Sequence, residues 1–90
     1  DTWIGKGKYS DPAQGLIDEV AVFSSALSSS DITAIYNGGV PADLTSLSPV
    51  GWWRMGDGTE AGSGTTIYDM SSNSNNGTLT NGPTFSSDTP

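Results

Sequence analysis

Residues 16–23, Leu-Ile-Asp-Glu-Val-Ala-Val-Phe, constrain the fold more than any other stretch of the chain. Leu16, Asp18, Val20 and Val22 fall on one face of an extended strand, and Ile17, Glu19, Ala21 and Phe23 on the other. A strand that is apolar on both faces needs cover on both, which predicts a strand inside a sandwich rather than at an edge. The rest of the chain supplies little cover. Leu, Ile, Val and Phe together number 16 of 90 residues, and the net charge is −7. That aliphatic share lies below the roughly one-fifth at which a strongly charged chain reads as disordered. Yet there are three Trp and three Tyr, and disordered chains are poor in aromatic residues. The two signals reconcile in a segment that folds with help from a neighbouring chain, a partner or a bound ion.

Several chemistries are excluded by composition. Without Cys there is neither a disulfide framework nor a thiolate metal site, and without His there is no Ser-His-Asp triad or imidazole zinc site. Lys6, Lys8 and Arg54 are the only bases, too few to neutralise a row of phosphates, so nucleic acid is not an expected partner. No apolar run approaches the roughly 20 residues that span a bilayer, and no signal-peptide pattern opens the chain. The first residue is Asp1, so the chain is expected to be processed or to be a piece of something longer.

Around the strand at 16–23, the other elements follow from local signals. Residues 2–9 read as a strand or hairpin arm. Ser28, with Asp31 three residues on, marks a helix N-terminus close to the capping-box pattern. Ile32, Ile35 and Tyr36 form one helical stripe, and Gly38 stands where helices stop. Residues 40–49, with a Pro near each end and no periodicity, read as a stiff linker. Strands are expected at 50–55, 65–70 and 78–80, and an extended piece at 84–85. A glycine-rich loop covers 56–64 and a polar loop 71–77. Asn37-Gly38 and Asn81-Gly82 are turn signals, and Asn76-Gly77-Thr78 is a formal glycosylation acceptor.

Gly15-Leu16-Ile17-Asp18-Glu19-Val20-Ala21-Val22-Phe23, then Ala26-Leu27-Ser28, then a helix ending Ile35-Tyr36-Asn37-Gly38-Gly39, resembles the closing segment of a concanavalin A-like, laminin G-like jelly roll. Val50-Gly51-Trp52-Trp53-Arg54-Met55, the run 62–69 and the run 72–79 resemble the opening segment of the same domain type. The order is inverted, and the family's central strands are missing. The resemblance implies an all-β fold, a fragment of an antiparallel β-sandwich with one short helix, completed by a neighbouring chain or copies. It divides the chain into the C-terminal part of one jelly roll (1–39), a Pro-bounded linker (40–49) and the N-terminal part of another (50–90). A window cut from a tandem array is favoured over a permuted protomer whose halves complete neighbouring subunits.

Candidate site residues carry two readings each. Asp18, among apolar residues on its face, is either a calcium ligand or a carboxylate that accepts backbone N–H bonds or pairs with Arg54. The loop from Asp69 carries side-chain oxygens at every second position. Members of the resembled family often bind a structural Ca²⁺ near this opening loop, which puts Asp69, Asn73 and Asn76 forward as metal ligands. The other reading is a polar turn held by side-chain-to-backbone hydrogen bonds. Trp52 and Trp53 point to opposite faces of a strand, so one is core, and Trp53 is the weak candidate for a sugar-stacking platform. Asp57 and Glu60 are loop acids able to meet a cation, and more simply solvated. Glycan cleavage needs two carboxyl groups at fixed separation. The only two Glu lie in different segments, and Asp18 and Glu19 face opposite ways, so no catalytic pair is expected.

The resemblance therefore implies a non-catalytic module of an extracellular, cell-surface or virion protein that binds glycans or surface proteins, with calcium as a possible structural ion and other jelly rolls or identical chains as neighbours. The alternative is a structural segment of a fibre, phage appendage or capsid decoration. A glycan-cleaving enzyme comes last.

Overall fold

The computed structural model describes residues 3–7, 11–56 and 64–88. Its elements in chain order are β1 (Val20–Val22), α1 (Ser29–Tyr36), a 3₁₀ turn at Asn37–Gly39 and another at Thr45–Leu47, β2 (Gly51–Trp53), β3 (Thr66–Ile67) and β4 (Gly77–Thr78). Strands β1 and β2 pair antiparallel with Val20 opposite Trp53, Ala21 opposite Trp52 and Val22 opposite Gly51. Strands β3 and β4 form a second two-stranded pair. Trp53 also bridges Asp69, so β2 is flanked on both sides.

The expected all-β sandwich is not what forms. The described residues make one short helix and two separate two-stranded sheets. A sandwich needs two sheets packed face to face over a shared interior. Here the strands are two or three residues long, and the buried apolar side chains among the described residues are Leu44, Pro49, Trp52 and Ile67. The reason is visible at residues 16–23. Glu19 adopts φ 52, a left-handed conformation that interrupts the extended period just before β1. The two-faced pattern is therefore only partly covered: Val20, Ala21 and Phe23 are half-buried, while Leu16 is 65% exposed and Val22 49%.

The helix forms as its local signals dictate. The Ser28 hydroxyl accepts from the Asp31 N–H (3.1 Å) and the Asp31 carboxylate from the Ser28 N–H (3.3 Å), a closed capping box. Asn37 closes the other end at φ 46, followed by Gly38 at φ 66, where a side chain would be strained. Its apolar stripe is only half used, because Ile35 is half-buried while Ile32 and Tyr36 face out.

The proline-bounded stretch 40–49 does more than connect. The Asp43 carboxylate accepts from the Thr45 N–H (2.9 Å) and hydroxyl (2.6 Å), which starts the second 3₁₀ turn and buries Leu44 against solvent. Of the hairpin arm expected at 2–9, residues 3–7 contain no strand and the rest lies outside the described residues, as do Asp57 and Glu60. The piece at 84–85 stays outside the sheets.

Candidate functional site

Two constellations surround β2. The first is built on Asp69, 7% exposed at the start of the polar loop. Its Oδ1 accepts from the N–H groups of Trp52 and Ser71, both at 2.9 Å, and its Oδ2 from the N–H of Asn75 at 2.9 Å. Its own N–H donates to Asn76 Oδ1 (3.0 Å). The Met70 N–H donates to the Trp52 carbonyl at 2.6 Å, completing the seam. Burial pushes the Asp69 carboxyl upward, but the N–H groups of Ser71, Trp52 and Asn75 outweigh it and hold the group below its ordinary value of 3.8. The loop is pinned further where the Ser71 hydroxyl (3.2 Å) and Asn73 Nδ2 (2.8 Å) both donate to the Val50 carbonyl.

This geometry suits a hydrogen-bonded turn better than a cation cage. Calcium takes six to eight oxygen ligands. Asp69 commits both oxygens to N–H donors, Asn76 commits Oδ1 to the Asp69 N–H, and Asn73 turns its amide nitrogen inward. Among the described residues no group of three or more acidic side chains gathers where an ion would sit. Asp18 is half-buried just before β1.

The second constellation sits at one end of the strand pair, where the chain enters β1 and leaves β2. Glu19, turned by its left-handed backbone, accepts from Trp52 Nε1 (3.2 Å) on one oxygen and from Arg54 Nε (2.9 Å) on the other. The Arg54 guanidinium lies 5.1 Å from the centre of the Trp52 ring. Arg54 thus pairs with Glu19, the residue next to the expected Asp18. Trp52 is the core indole, 3% exposed. Trp53, on the opposite face, is half-buried: its ring lies across Gly51, and its Nε1 donates to the Asn75 carbonyl (3.0 Å).

Between the second 3₁₀ turn and the polar loop lies a cleft of about 260 Å³. It is lined by polar Thr45, Ser48, Ser71, Ser72 and Asn73 and by apolar Pro49, Val50, Trp52 and Met70. None carries a charge. Of the sequence candidates only Asn73 reaches this cleft; Trp53 does not line it. Thr45 and Ser48 were hidden in what read as a linker. The one local signal there was Asp43 two residues before Thr45, a side-chain-to-backbone turn pattern.

Compared with protein-family models, with curated proteins and with solved structures, the chain matches none. Among the described residues no helix is long and apolar enough to cross a membrane.

Proposed function

We propose that this chain is a non-catalytic binding module of an extracellular, cell-surface or virion protein, with a glycan as its ligand. The observation that carries the reading is the uncharged cleft, lined by hydroxyl- and amide-bearing residues together with apolar Pro49, Val50, Trp52 and Met70. A neutral polyhydroxylated ligand matches such a wall, because its hydroxyls exchange hydrogen bonds while its C–H faces meet apolar surface. The resemblance of residues 15–39 and 50–79 to laminin G-like segments supports the location.

A glycan array probed with the chain and with Ser72→Trp tests it. Ser72 lines the cleft, is exposed and takes part in no described hydrogen bond, so the indole fills the cleft without removing a fold contact. The expected result is binding by the native chain and its loss in the variant. Binding to no glycan, or equal binding by both, removes the reading.

A second reading has its own observation. Ten large apolar residues of the described chain are exposed, Leu16, Tyr36 and Val40 most of all, against three buried. So many exposed apolar side chains against so few buried ones leave apolar surface for a partner to cover, which favours an assembly role in a fibre, appendage or capsid decoration. Sedimentation equilibrium of the chain decides it: self-association supports assembly, and a monomer at all concentrations counts against homotypic packing.

A further inference from the structure

We infer that Asn81 is a site of spontaneous covalent modification, deamidation through a cyclic imide, and that the fold shields Asn76 from the same reaction. Three of the five Asn precede glycine: Asn37-Gly38, Asn76-Gly77 and Asn81-Gly82. In that dipeptide the glycine backbone nitrogen attacks the asparagine Cγ. An N–C bond forms, the Cγ–Nδ2 bond breaks, and ammonia leaves carrying the proton of the glycine N–H. The five-membered imide then takes up water at either carbonyl and opens to aspartate or to isoaspartate, in which the main chain runs through the side chain. Nothing is oxidised or reduced, and water is the only co-reactant. Glycine favours the attack because no Cβ obstructs it.

The reaction needs a side chain free to swing and a glycine nitrogen free to approach it. The three sites differ on both counts. At Asn76 the side-chain Oδ1 is held by the N–H of buried Asp69 (3.0 Å), and Gly77 lies in β4 opposite Ile67. At Asn37 the backbone is gripped from both sides: its N–H donates to the Thr33 carbonyl, and its carbonyl accepts from the Val40 N–H at 3.3 Å. Asn81 and Gly82 have φ of 65 and 89, and Asn81 is exposed. Among the described residues neither takes part in a hydrogen bond, and Pro83 brings no N–H that would tie the turn down. The structure thus ranks three identical dipeptides: Asn81 reacts first and Asn76 last.

The experiment ages the full chain in mildly alkaline buffer and, in parallel, in the same buffer with denaturant. Peptide mapping with fragment-ion assignment follows the amide at each Asn, and enzymatic methylation of isoaspartate gives a second readout. In the folded chain the Asn81 amide is lost at a rate close to that in denaturant, while the Asn76 amide is retained and is lost only in denaturant. In Asn81→Gln the early isoaspartate signal disappears. Equal loss at Asn76 and Asn81 in the folded chain overturns the inference. So does an Asn81 that survives folded while reacting in denaturant, or an isoaspartate signal unchanged in Asn81→Gln.

Discussion

Asp69 is a carboxylate spent on backbone N–H groups, and its removal leaves the buried Trp52 N–H and the partly buried Ser71 and Asn75 N–H groups without that acceptor. Asp69→Ala is expected to lose ~2 kcal/mol or more in urea unfolding, since hydrogen bonds to a charged group are each worth about 1.5–3 kcal/mol. The pH dependence has a definite sign. The folded-state pKa of Asp69 lies below the ordinary 3.8, so its contribution is fully present above that value and is lost as pH falls through the folded value. The hydroxyl and N–H of Thr45 lower the exposed Asp43 carboxyl in the same direction. Denaturation midpoints should therefore be flat above about pH 5 and fall below pH 4, and the gap between native chain and Asp69→Ala should narrow over that same acid range. Asp69 was readable as a site residue because an oxygen-rich run surrounds it. Its partners were not: the Trp52 N–H comes from 17 residues away, and no local pattern specifies that approach. Glu19 was less legible still. Its backbone is left-handed, a rare conformation for a glutamate, and its partners Trp52 and Arg54 lie 33 and 35 residues away.

Helix α1 was legible almost in full, since caps and periodicity are local. The capping box at Ser28 and the Asn37-Gly38 stop coincide with its observed ends. Ser28→Ala should cost about 1 kcal/mol in helix stability, a typical cap loss. Because Ile32 and Tyr36 are exposed, that loss should appear as faster hydrogen exchange within Ser29–Tyr36 and as little change in the global unfolding midpoint. A large global shift would mean that α1 is tied more firmly to the core than its exposure implies. The strands were legible as apolar runs but not as to length. Alternation at 16–23 promised a long inner strand, and only Val20–Val22 forms one. Leu44 was missed because two leucines between prolines are too few to set a period, although Leu44 becomes one of the few buried apolar residues.

For the whole molecule, the segments on either side of the proline-bounded stretch pair with one another inside a single chain, as β1 with β2. Their joint core is thin. Calcium is not expected to support it: because Asp69, Asn73 and Asn76 already serve hydrogen bonds, thermal unfolding with added Ca²⁺ and with chelator should coincide, and a chelator-sensitive midpoint would show a site beyond those three residues. Residues 1–39 and 40–90 made as separate peptides should each lack ordered structure. When mixed, they should restore the blue-shifted emission of a buried Trp52, since its contacts to Ala21 and Glu19 cross the division.

Pairing Val22 with Gly51 also shuts a ring of chain that contains the whole of α1. Bringing the ends of that ring together loses entropy before any contact repays it. Refolding speed is then set by this search, whatever the helix does on its own: α1 can nucleate early, but the chain waits for β2 to find β1.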